Sequence, residues 1–298
     1  VLVALGTYTG DGNRDIEFRG KAITVRSEAG PETCIIDCQG SEAENHRGVH
    51  FKVGDVNTVF SGFTIENGYI SKESRPELYP YGGGVFCLGG SPTIKNCIIT
   101  QNYSRHEGGG LWCNGDNTIV INCIIKNNTV EYGIGAGIHL VDGLQKIVGC
   151  LIANNIGGGG LSIHDHCEAN VTHCTIVANQ ARYQGGGVQF APGSGSKCVI
   201  TNTIVWGNTA TGGGDQIGGG LGRGGGRSTH NVSFQYCFIQ SGINAVYWPY
   251  AEWQVGIDWH ETMKEGVISL DNVGFTNPNN GDYHLKSQAG RWDPVSKT

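Results

Sequence analysis

Six glycine-rich openings divide the middle of this chain at near-constant intervals. They fall at Gly82, Gly108, Gly135 (as Gly-Ala-Gly), Gly158, Gly185 and Gly212, with spacings of 26, 27, 23, 27 and 27 residues. A second landmark follows each of the first five: Cys97, Cys123, Cys150, Cys174 and then Thr203. Five positions further on stands an asparagine each time, at Asn102, Asn128, Asn155, Asn179 and Asn208. An apolar residue precedes each asparagine by three, from Ile99 through Ile125, Ile152 and Ile176 to Val205. A repeat of this period constrains the fold more than any single motif does.

The apolar runs inside each repeat are short and β-branched, as in "TIKNCIIT", "TIVINCIIK" and "ANVTHCTIV". Bounded by Gly, Asn and Asp, they are too short for helices and predict strands. Two or three strands with tight turns in about 26 residues fit an all-β, single-stranded parallel β-helix, a solenoid whose coils stack about 4.8 Å apart. Equivalent residues then form columns. The cysteines make an inward column of small apolar side chains. The asparagines make a corner column whose amides bond one another or turn backbone, and which tolerates left-handed backbone. Glycine supplies the positive φ of sharp bends. Segments 22–38, 57–68 and 231–242 carry the same pattern less cleanly. The expectation is roughly nine coils over residues 1–242, a rod on the order of 45 Å long. Residues 69–81 and 212–228 are expected to be loops, and 243–298 an irregular cap or extension of the same domain.

The Gly-Gly-Gly-apolar and apolar-x-x-Asn pair resembles the GGA-apolar and FxxN pair of polymorphic outer-membrane adhesin repeats, and the chain resembles the right-handed parallel β-helix proteins. The likeness runs from about Ala22 to Gly242. It differs in having Ile or Val for Phe and Gly-Gly-Gly for Gly-Gly-Ala. The resemblance implies a secreted or surface protein and does not imply an activity.

Composition narrows the function classes. With 50 glycines but only 8 prolines and no Gly-X-Y period, collagen is excluded. Net charge is -6 without a Lys/Arg cluster, which argues against nucleic acid. No apolar run reaches the ~18 residues of a membrane span. The abrupt start at "VLVALGTYTG" suggests a piece of a longer chain.

Chemistry-bearing residues are scattered. Many β-helix proteins act on polysaccharides, but fold does not decide function. Asp116, Asp142, Asp165 and Asp215 stand singly at expected turns, so neither paired acids nor a calcium set beside a basic residue emerges. Calcium stays conceivable without assigned ligands, and no other cofactor is expected. "SIHDHC" is the most metal-like stretch. In a strand, His164 and His166 share one face, with His139 one coil earlier and His173 on the next strand. The bland alternative is a polar strand or turn with solvated imidazoles. The landmark cysteines are expected as buried free thiols, with Cys34 and Cys38 the best disulfide candidates. The run 212–228 lacks the lysine and helix of a phosphate loop. Tyr247, Trp248, Tyr250, Trp253 and Trp259 could stack on sugar rings or form a lid over the last coil.

Three functions remain: an extracellular structural or adhesive protein, a polysaccharide lyase or hydrolase, and a glycan-binding module. The first is preferred. Bare strand edges at the rod's ends suggest head-to-tail pairing of copies into filaments, with extracellular polysaccharide as a second partner.

Overall fold

The computed structural model describes residues 1–71, 80–115, 117–190, 196–219, 231–242, 246–247, 256–260, 275–277 and 282–285. Residues 1–264 form one compact unit and 265–298 a second. Within the second, Phe275–Asn277 pairs antiparallel with Asp282–Leu285.

The first unit is a parallel β-helix. Each full coil visits sheets A, B, D and C in turn. Among the described residues, sheet A has ten strands (Leu2–Val3 to Gly256–His260) and sheet B nine (Gly6–Tyr8 to Phe238–Ile239). Sheet C has nine (Ile16–Glu17 to Val246–Tyr247) and sheet D six (Tyr69–Ile70 to Thr209–Ala210). Coils are counted here from the sheet A strand. Coil four, for example, is Ser91–Lys95, Ile98–Thr100, Tyr103–Ser104 and Leu111–Asn114. The parallel sheets run past residue 242, because Val246–Tyr247 extends sheet C and Gly256–His260 extends sheet A. Two stretches expected as loops also contain strands, Tyr69–Ile70 in sheet D and Ile217–Gly219 in sheet C. No helix among the described residues is long and apolar enough to cross a membrane.

The five-residue step from cysteine to asparagine has a geometric cause. In coil four, Asn96 (φ 54°) turns the chain from sheet A, Cys97 points inward, and Ile98–Thr100 forms the strand. Gln101 (φ 57°) then turns the chain again and Asn102 points inward, buried. Left-handed backbone therefore lies one residue before each ladder asparagine, at Gln101, Asn127, Asn154, Ala178 and Gly207, not on the asparagine itself. The ladder residue is spared because the turn needs one left-handed residue, and the next is thereby aimed inward.

The asparagines form a continuous ladder. Nδ2 of Asn102, Asn128, Asn155 and Asn179 donates to Oδ1 of the next asparagine at 2.9–3.0 Å. It also donates to a carbonyl one coil back, as from Asn128 to Ile99 O at 3.0 Å. Each Oδ1 takes a backbone N–H as well, as from Asn128 N to Asn155 Oδ1 at 3.0 Å. Gln216 closes the ladder, accepting from Asn208 Nδ2 at 2.8 Å.

The glycine triplets and the ladder are one device. A Cβ on the third glycine would lie 2.7–2.9 Å from the ladder Nδ2 at Gly84, Gly110, Gly137, Gly160 and Gly187. Gly110→Ala would also meet Gly137 O at 2.8 Å, inside any real contact. It is expected to cost about 1–3 kcal/mol by overpacking. Gly207→Ala, strained by φ 63° but with nothing closer than 3.9 Å, should cost about 1 kcal/mol. Paired urea titrations compare the two, and equal shifts would remove the steric account.

Cysteines fill the inward column at the other corner. Cys123 Sγ donates to Ile121 O at 3.3 Å, and Thr203 does the same to Thr201 O at 3.0 Å, so a small donor is what the slot needs. All 11 cysteines are buried free thiols. Cys34 and Cys38 are among them, which corrects the disulfide expectation. Cys34–Asp37 is extended, and four residues of strand span roughly 13 Å, beyond the ~7 Å a disulfide bridges. Burial pushes the Cys167 thiol up to about 12 and the Cys198 and Cys38 thiols higher than usual. An aromatic disulfide reagent should therefore leave the folded protein unmodified and titrate every thiol once it is unfolded in urea. Rapid native labelling would contradict this packing.

Candidate functional site

Sheet D leads through a corner loop into the glycine triplet and then sheet C. Inter-coil backbone bonds stack these loops, including Tyr132 N to Arg105 O at 2.9 Å and Gly212 N to Tyr183 O at 2.7 Å. Coil six, the 23-residue repeat, has almost no loop. Gly157 passes within contact of Val130 O, leaving no room for a side chain there.

Along this corner two tyrosines stand exposed at equivalent positions, Tyr132 in coil five and Tyr183 in coil seven, at 51% and 48%. They stand two coils apart, roughly 9.6 Å along the axis at one strand spacing per coil. Two large rings exposed at equivalent places on one corner call for an explanation other than packing. Arg105 and Arg182 place guanidinium carbons 5.8 and 5.9 Å from the Tyr132 ring centre. Arg182 reaches across the short coil six to donate to Glu131 O at 2.5 Å. Tyr103, stacked on Tyr69 at 4.2 Å, donates its hydroxyl to Glu131 and helps hold that carboxyl below its usual range.

Further along, at coil nine, lies a cleft, where Tyr247 of sheet C is exposed at 41%. Sheet D stops in coil eight at Thr209–Ala210, while sheets A, B and C continue into coil nine. The gap leaves a cavity of about 420 Å³ lined by Thr209, Asp215, Gln216, Gln240, Ser241 and Tyr247. An aromatic face among amide, hydroxyl and carboxylate groups is the chemistry that binds a sugar ring.

Of the aromatic group singled out from sequence, Tyr247 lines this cleft. Trp248, Tyr250 and Trp253 lie outside the described residues, as does Asp116, and Trp259 pairs by its backbone with Phe234 in sheet A. Tyr132, Tyr183, Arg105 and Arg182 were missed. They lie between the repeated landmarks, and their alternate-coil spacing is visible only once the coils are counted.

The histidine pair is not brought together as expected. The strand ends at Ile163, and His166 has left-handed backbone (φ 48°), so the two rings do not share a strand face. His164 Nδ1 lies 2.9 Å from Asp165 Oδ2, and His166 Nδ1 lies 3.6 Å from Asp142 Oδ1. His139 does stand beside His164, ring centres 5.6 Å apart, while His173 bonds Thr172 on another corner. No three His, Cys, Asp or Glu side chains among the described residues form a metal-holding group.

A second polar feature was not foreseen. On sheet C the core takes two residues of each strand, and the one between faces outward. That outward column runs His50, Phe86, Trp112, His139, Ser162 and Gln189. It is nevertheless buried, because each glycine turn folds back over it. A Cβ at Gly135 or Gly185 would lie 2.9 or 2.8 Å from the Cβ of His139 or Gln189. Phe86 stacks on Trp112 at 4.8 Å, and Trp112 Nε1 donates to Glu107 Oε2 at 3.4 Å.

A family model described as a right-handed beta helix region matches residues 9–159 and, overlapping, 57–239. The chain belongs to the right-handed β-helix family. Comparison with curated proteins and with solved structures gave no significant match. The β-helix family accounts for the four sheets and the coil period. It assigns no activity, so the tyrosine corner carries the functional argument for this β-helix.

Proposed function

We propose that this β-helix is an extracellular adhesive rod that binds polysaccharide laid along its tyrosine corner. The observation that carries the reading is the exposure of Tyr132 and Tyr183 at equivalent corner positions two coils apart, with Tyr247 exposed on sheet C at the cleft. Rings at a fixed interval on a rigid scaffold suit a repeating polymer, and stacking on sugar faces needs no reorganisation. Arg105 and Arg182 beside Tyr132 favour chains that carry carboxylates. The likeness of the coil motif to surface adhesin repeats supports a place outside the cell. Affinity electrophoresis through gels containing uronic-acid polymers should retard the protein. The Tyr132→Ala/Tyr183→Ala double variant should lose most of that retardation while keeping its β-sheet circular dichroism. Equal retardation of the variant would remove the corner from the proposal. Unsaturated, ultraviolet-absorbing products would replace binding by lyase action.

End-to-end pairing belongs to the same proposal. A strand edge left uncovered at either end of a stack of parallel coils invites a second copy. Sedimentation should show mass rising with concentration, whereas a monomer at every concentration would end this part.

A further inference from the structure

Three consecutive rungs of the covered column on sheet C each bury a polar atom without a hydrogen-bond partner. They are His139 Nδ1, Ser162 Oγ and Gln189 Oε1, on side chains 1%, 0% and 3% exposed. Register places His139 beside Ser162 and Ser162 beside Gln189. Their strand neighbours Ile138, Leu140, Leu161, Ile163, Val188 and Phe190 all pack in the core, so the three side chains point to the same, opposite face. An unpaired buried polar atom is destabilising, and three in a row call for a common cause.

The donor and acceptor pattern identifies that cause. His139 Nε2 lies 3.3 Å from Glu107 Oε2, so the carboxylate holds the ring proton on that nitrogen and leaves Nδ1 with a lone pair. Gln189 Oε1 is a second acceptor. Ser162 lies between them and can donate. What fits is a small molecule with two donors and one acceptor, seated over Ser162. We propose that an internal water molecule occupies this place, donating to His139 Nδ1 and Gln189 Oε1 and accepting from the Ser162 hydroxyl. Three bonds to otherwise unpaired groups are what a structural water ordinarily makes. The site would link coils five, six and seven beneath the glycine turns, on the opposite side of sheet C from the core. It does not depend on glycan binding.

A high-resolution crystal structure of the unaltered protein is the first test. One ordered water within hydrogen-bond reach of all three atoms is expected. An apolar void there, or Ser162 bonded directly to protein, would overturn the inference. Thermodynamic coupling gives an independent measure. His139 and Gln189 stand two rungs apart, roughly 9.6 Å between strands, where substitutions normally add. A shared water makes His139→Phe and Gln189→Leu non-additive, so the double variant's urea midpoint should shift clearly less than the two single shifts combined. Full additivity would count against the water as decisively as an empty density map.

Discussion

Asn155→Ala is expected to destabilise the β-helix by about 3–6 kcal/mol, a large share of the ~5–15 kcal/mol that holds a typical domain. The figure follows from the ladder. Asn155 Oδ1 accepts both Asn128 N and Asn128 Nδ2 at 3.0 Å, and its Nδ2 donates to Ile125 O and Asn179 Oδ1. Alanine leaves a backbone N–H, an amide proton and a carbonyl buried and unpaired. Asn155→Asp should not rescue the protein. It keeps the acceptors but turns a carboxylate toward Ile125 O and Asn179 Oδ1, both of which need a donor. Exposed Asn170, on sheet A, serves as the control, and its alanine variant should shift stability by less than about 0.5 kcal/mol. Because coils contact only their neighbours, hydrogen exchange should localise the loss to coils five to seven. Equal urea midpoints for Asn155→Ala and Asn170→Ala would show that the ladder is ornamental to stability.

Acid is expected to weaken the fold well above the usual carboxylate range. Burial lowers His139 to about 4, with Glu107 opposing the shift, and burial with Arg47 and Lys52 nearby lowers His50 to about 4. Both values lie below the ~6.5 of an unfolded histidine. Between these limits the unfolded chain binds protons that the folded chain does not, so stability rises with pH there. The contribution is complete above about pH 6.5 and is lost as pH falls toward 4. Each histidine supplies on the order of 3 kcal/mol, roughly 6 kcal/mol for the pair. Urea midpoints measured from pH 7 to 4 should fall steeply, and His50→Gln or His139→Gln should each flatten that fall by about half. A midpoint unchanged between pH 6.5 and 4.5 would mean that neither ring is held neutral.

The coil period, the strands of sheets A and B and both inward columns were legible in the sequence because each is set by local geometry repeated in register. Two left-handed turns separated by a three-residue strand place Cys97 and Asn102 five positions apart, and the next coil must copy the spacing to pair. The partnership between third glycine and ladder asparagine was not legible. Gly110 and Asn128 are 18 residues apart, and only the closed coil shows that the amide occupies the space a Cβ would take.

The candidate site lay further beyond local pattern. Nothing around Tyr132 or Tyr183 marks them, and their alignment depends on coil six losing its corner loop so that Arg182 can reach back to coil five. The histidine pair misled for the opposite reason. Its spacing suits a strand, but the chain turns at Asp165 and His166 before the second ring can join the first. The polar column on sheet C faces away from the core by alternation, and the glycine turns folding over it make it interior. By itself the sequence determined the stacking, since in-register repetition is a property of each coil and its neighbour. The tertiary structure alone decided which faces meet water, because that depends on loops from one coil covering or exposing side chains of another.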